Sequence, residues 1–189
     1  MKSKNIFEYY WSCVTSDYLN FKGRARRLEF WGFIVVSIIV GIGFTIADTI
    51  LHMADVLPTF FSLNWILNIV VMIPTLAVTT RRFHDTDRSG AVPIISGVIS
   101  SLITISSIAA VIYFATEVAY ERINFFDNLT SQNIQILAIS AIIFGIVYLC
   151  FGIYILVVCF LDGTYGENKY GPDPKHPDLG IEIEEIGTE

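Results

Sequence analysis

Four apolar runs divide the chain, at roughly Phe30–Leu51, Phe60–Thr80, Ala91–Thr116 and Ile134–Leu161. Each holds about 20 residues or more, enough at ~1.5 Å of rise per residue to cross a hydrocarbon core ~30 Å thick. The runs predict four transmembrane helices rather than four core helices of a soluble domain. Ahead of them Phe7, Tyr10, Trp11, Val14 and Tyr18 recur at three- and four-residue steps. That spacing predicts an amphipathic helix whose aromatics lie either in the membrane interface or against protein. After Leu161 the pattern changes abruptly to DGTYGENKYGPDPKHPD, in which glycines and prolines predict turns followed by an extended piece. Residues 179–189 form an acidic end that is expected to be disordered.

Composition supports the membrane reading. Of 189 residues, 53% are hydrophobic and 16% charged, against roughly 25% charged in an ordinary soluble domain. The formal net charge of -6 owes much to Asp178, Glu182, Glu184, Glu185 and Glu189 in the tail. Without a basic face, nucleic acid is excluded as a partner. Cys13, Cys150 and Cys159 show no C-x-x-C spacing, so buried, inert thiols are expected, with no disulfide, zinc or redox role. The first 20 residues show neither a continuous apolar core nor a small-residue cleavage site, so no signal peptide is expected.

The lysines and arginines predict how the chain is threaded. Residues 1–29 hold Lys2, Lys4, Lys22, Arg24, Arg26 and Arg27, the stretch after the second run holds Arg81, Arg82 and Arg88, and the C-terminal segment holds Lys169 and Lys175. The two other connections carry Arg122 alone. By the positive-inside rule both termini and the Arg81 stretch face the cytoplasm. The fold class is thus an all-α membrane protein: four transmembrane helices in an antiparallel bundle, preceded by an amphipathic helix, as one membrane domain over residues 1–178. An Asn-Leu-Thr sequon at Asn128 falls in the predicted outer connection.

Polar residues inside the runs are few. Asn64 and Asn68 share a helical face, Pro74 follows in the same run, and Gly97, Ser100, Ser101, Thr104 and Ser107 form a stripe of small side chains in the third. With Gly145 and Gly152 in the fourth run, these suit close helix packing in lipid; a permeation path is the alternative. Asp48 falls within one turn of the predicted outer end, where water is expected to reach it.

Specific chemistry concentrates in Arg81–Gly90, RRFHDTDRSG. With GRARRLEFW at Gly23–Trp31 and GTYGENKYGPDP at Gly163–Pro174, it resembles the domain of unknown function 805 family of small bacterial inner-membrane proteins. The resemblance implies a four-helix inner-membrane protein and supplies no reaction. The chain departs from the family's usual pattern at Ala91 and Val92, where members often carry tryptophans, and at Glu167, where they carry proline.

If the threading holds, the three motif segments lie at one end of the bundle. Their charges nearly cancel: Arg24, Arg26, Arg27, Arg81, Arg82, Arg88 and Lys169 against Glu29, Asp85, Asp87, Asp162, Glu167 and Asp173. A surface for anionic headgroups would be in excess base, so the balance predicts a mixed-charge cap, with Glu29 and Asp162 offered to Arg81, Arg82 or Arg88. The candidate residues, structural or anion-contacting, are Arg24, Arg27, Glu29, Arg81, Arg82, His84, Asp85, Asp87, Arg88, Asp162, Lys169 and Tyr170. His84 beside Asp85 is a possible general base and H-D-x-D a possible ligand set, but no nucleophile or established metal spacing accompanies them. No catalytic residue, cofactor or metal is assigned. The expected function is a non-enzymatic scaffold or lipid-interacting membrane protein. Its expected partners are membrane lipids, another protein or a second copy of the chain. A small oligomeric transporter or channel subunit, or an enzyme acting on a lipid-linked substrate, are the alternatives.

Overall fold

A computed structural model describes residues 5–56, 58, 61–119 and 131–175. Arg122, the Asn128 sequon and the acidic end fall outside them. The described residues form α1 (Ile6–Val14), α2 (Arg27–Met53), α3 (Leu63–Asp85), α4 (Ala91–Ala119) and α5 (Ser131–Phe160), with no strand among them. The last four are long and apolar enough to cross a membrane. Each apolar run becomes one such helix, because every backbone group in hydrocarbon must be satisfied internally.

Two compact units make up the chain: Met1–Pro93 with Val158–Glu189, and Ile94–Val157. In the first, Phe33, Ala77, Val78, Phe83 and Val158 are buried together with Cys13 and Cys159. The short α1 lies against α2. Its capping box is closed by Glu8, whose carboxylate accepts the Asn5 N–H at 2.8 Å. Ile6 presses on Gly32, where a Cβ would come within 3.1 Å of its side chain, and Tyr10 stacks on Phe33 at 5.6 Å between ring centroids. The aromatic series therefore divides: Tyr10 packs on protein, while Phe7 and Trp11 face outward.

Two polar contacts position α3. Pro74 has no N–H to offer the carbonyl of Val70 four residues earlier, and the Tyr18 hydroxyl donates to that carbonyl at 2.8 Å. Asp48 is not open to water as expected; it is 7% exposed. Its carboxylate accepts the Ser62 hydroxyl and the backbone N–H groups of Leu63, at 2.9 Å, and Asn64, at 3.0 Å. An acid from α2 thereby caps the N-terminus of α3, where orphan donors and the helix dipole favour negative charge. Asn64 donates to Thr45 Oγ1 of α2 at 3.1 Å, while Asn68, exposed, donates back to the Asn64 carbonyl of its own helix at 2.8 Å.

Within the second unit, Ser100, Ser101, Thr104 and Ser107 donate to carbonyls of their own helix. Ser100 also meets the Tyr148 hydroxyl of α5, and Tyr148 stacks on Phe144. Gly145 and Gly152 do not serve the close packing expected of them among the described residues, since a Cβ on either would meet open space. Cys150 is likewise exposed rather than buried.

Candidate functional site

The apolar run of α3 ends near Thr80, but its backbone stays helical through Arg81, Arg82, Phe83, His84 and Asp85. Charged side chains end the hydropathy signal without ending the hydrogen-bond ladder. Thr86 and Asp87 stop it: the Thr86 hydroxyl and the Arg88 N–H both bond the Phe83 carbonyl, and Asp87 turns left-handed at φ 57, a conformation that aspartate tolerates. The first half of the Arg81–Gly90 stretch is thus a helix end. Helical spacing brings Arg82 and Asp85 together, three residues apart, and they pair.

Asp85 is the hub. One carboxylate oxygen accepts Arg24 Nε at 3.0 Å and the other accepts Arg82 Nη1. All three side chains are at most 5% exposed. Arg24 reaches on to the carbonyls of Gly166, at 2.6 Å, and Thr164, while Arg82 donates to the carbonyls of Cys159, at 3.2 Å, and Leu161. Two planar guanidinium forks therefore tie the segment before α2 and the end of α5 to one carboxylate, a geometry that lysine would not reproduce. Gly163 is required for this approach, because a Cβ there would collide with the Asp85 carboxylate. The Asp85 carbonyl in turn accepts the Thr164 N–H at 2.8 Å.

Beside this hub, Arg81 pairs with Glu29 through Nη1 and meets Cys13 Sγ at 3.6 Å through Nη2, and the Arg81 carbonyl accepts the Ala25 N–H at 3.0 Å. Burial pushes the Cys13 thiol up to about 11, with neighbouring Glu29 adding to the shift, so it stays neutral and unreactive. His84 stacks on Tyr170 at 3.8 Å and 7° between the rings. Its Nδ1 lies 3.1 Å from the Gly23 carbonyl. A carbonyl only accepts, so that contact places the proton on Nδ1. A Cβ at Gly90 would strike the Thr80 methyl and His84 Nε2; this is the close approach that the R-S-G glycine allows. Asn168 closes the cluster, donating to the His84 carbonyl and to Thr164 Oγ1, both at 2.9 Å.

The rim is wet. Arg27 donates to Asp162 at 2.8 Å and Lys175 stands 3.8 Å from the same carboxylate, while Lys169 donates to the Asp87 carbonyl at 3.0 Å with the Asp87 carboxylate at 3.5 Å. Arg27's hydrogen bond and charge hold the Asp162 carboxyl below the usual carboxylate range. Glu29 thus takes Arg81 as anticipated, but Asp162 takes Arg27 and Lys175 instead of Arg81, Arg82 or Arg88. Asp162 lies at the exposed rim; Arg82 is buried on Asp85. Asp173 accepts the Gly166 and Lys175 N–H groups of its own turn. Arg88 lies at the helix stop through its N–H.

Cys13, Gly163, Thr164 and Asn168 were not among the candidates. The glycine and asparagine belong to the GTYGENKYG motif that carried the resemblance, but nothing in their spacing says which atoms they meet. No group of three metal-ligating side chains occurs among the described residues.

Residues 18–172 match the family described as "Protein of unknown function (DUF805)". Inner membrane protein YhaH of Escherichia coli K12 is 30% identical over 167 residues, 86% of this chain and 93% of YhaH. Inner membrane protein YhaI of the same strain is 42% identical over 78 residues, 41% of this chain; the match spans 62% of YhaI, less than two thirds of its length. No solved structure matches the chain. With its family match running from Tyr18 through all four long helices to Pro172, the chain is an all-α membrane protein that belongs to the DUF805 family.

Proposed function

We propose that this protein is a non-enzymatic inner-membrane scaffold. Its buried charge lattice fixes the cap, and the exposed rim of that cap engages a protein partner or lipid headgroups. The observation that carries the reading is the hub. The guanidinium groups of Arg24 and Arg82 are held by the Asp85 carboxylate and by carbonyls of this same chain, so they are spent on internal structure. The one acid-base pair that the sequence offers does not form as such: His84 faces Gly23 and Tyr170, and Asp85 faces the two arginines. A general base needs a free path to a proton. Arg27, Asp87, Asp162, Lys169 and Lys175 remain at the surface and of mixed sign, which suits a partner with complementary charges.

The same reading puts the cap and both termini on the cytoplasmic side, supported by the eleven lysines and arginines there against Arg122 alone in the other connections. Ser89 is exposed beside the cap. A Ser89→Cys variant is expected to react with a membrane-impermeant maleimide only after the cytoplasmic face is opened; labelling from the periplasm would reverse the orientation. For the scaffold itself, gentle extraction and mass spectrometry are expected to find a protein or lipid retained by the parent. Arg27→Glu combined with Lys169→Glu should lose it. A parent that retains neither contradicts the proposal.

A further inference from the structure

We infer that α1 is an in-plane helix whose Phe7–Trp11 flank docks on the lipid bilayer at the boundary between headgroups and acyl chains. Three observations carry this beyond the scaffold reading, which it does not require. The helix has three distinct flanks. Ile6, Tyr10 and Cys13 face α2 and the buried lattice, through Gly32, Phe33 and Arg81. Glu8 and Ser12 form a polar flank, closing the capping box and bonding Ser16 and Asp17. Phe7 and Trp11, one turn apart, are left outward at 73% and 67% exposure, and Leu19 beyond the helix is 69% exposed. Large apolar side chains so placed in water would be a liability.

The second observation is depth. α1 meets α2 from Glu29, beside Cys13, to Gly32 and Phe33, two to six residues inside the helix counted from Arg27. At 1.5 Å per residue that is about 3–9 Å along α2 from its start, a range that overlaps the ~5–10 Å by which in-plane amphipathic helices bury their apolar face. The third is continuity. Leu28 and Val35 of α2, on either side of Gly32 in the chain, also face outward, at 47% and 49% exposure, so the transmembrane helix on which α1 lies presents apolar surface around the level where Ile6 meets it. A tryptophan at that level suits the interface, with its ring in the apolar layer and its N–H within reach of headgroups.

The test reads Trp11 directly. The full chain and its Trp11→Phe variant are reconstituted into phosphatidylcholine vesicles whose lipids are brominated at shallow or at deep acyl positions. The difference between the two proteins isolates Trp11 from Trp31 and Trp65 and leaves every buried residue intact. Shallow bromines are expected to quench roughly half or more of the Trp11 emission, and deep ones less, given the ~5–10 Å seat of such helices. Three results would overturn the inference. Quenching by a water-soluble quencher but by neither bromolipid would put the flank in water. Protection from both would put it under protein. Quenching that disappears as protein density rises would assign it to a second copy.

Discussion

Hydroxyls fold back on their own helices in both units, Thr45, Thr49, Thr75 and Thr79 among them in the first, but the two units differ in the other polar side chains they bury. In Ile94–Val157, Ser100, Ser101 and Thr104 fold back on their own helix, and Ser100 also meets the Tyr148 hydroxyl of α5. In the other unit, Arg24, Arg81, Arg82 and Asp85 are buried, Glu29 is half-buried, and they are joined across segments up to 142 residues apart. A hydroxyl that bonds its own carbonyl is neutral about which helix lies beside it. A buried guanidinium is not, because leaving it unpaired is costly, so the lattice can specify a single arrangement where apolar surface alone would not.

The largest expected effect is at the hub. Asp85→Asn leaves two buried guanidinium groups without their counter-charge and should destabilise the protein by about 3–5 kcal/mol, read as a lower unfolding midpoint in mixed micelles. Tyr18→Phe comes next. It orphans the Val70 carbonyl that Pro74 already deprives of a donor, at a cost of about 1–3 kcal/mol. Ser100→Ala in the second unit should cost only about 0.6 kcal/mol, the usual size of an interhelical hydrogen bond in membranes; a loss as large as that at Asp85 would erase the contrast between the units. The rim should matter least. Asp162→Asn is expected to leave the midpoint at neutral pH unchanged within error, since both partners are exposed. Because the folded Asp162 carboxyl is held below its ordinary value, whatever it contributes is present above about pH 4 and fades as the pH drops through the lower folded value. Comparing parent and Asp162→Asn melting curves across that range checks the sign.

Much of this architecture is legible in the sequence. The apolar runs mark all four long helices, at 30–51, 60–80, 91–116 and 134–161 against Arg27–Met53, Leu63–Asp85, Ala91–Ala119 and Ser131–Phe160. The aromatic spacing marks α1. Hydropathy fails where a helix turns polar, and so misses that α3 carries Arg81 to Asp85 in its last turn. It also reads Asp48 as an acid near water, because a single sequence does not reveal that an α2 carboxylate meets the N–H groups of Leu63 and Asn64. Charge counting could not give the pairing among the charged residues of the motif segments. Asp85 and Asp162 look alike in sequence; one receives two buried arginines and the other lies at the rim. Burial decides between them, and burial depends on where Thr164 and Gly166 bring their carbonyls.

A double-mutant cycle between Arg24 and Asp85 measures the central contact. Arg24→Met, Asp85→Asn and the combined variant are unfolded under identical conditions. The buried lattice predicts a coupling of roughly 1–3 kcal/mol, with the double variant markedly less damaged than the sum of the singles; additivity within about 0.5 kcal/mol would mean that the two side chains do not hold each other.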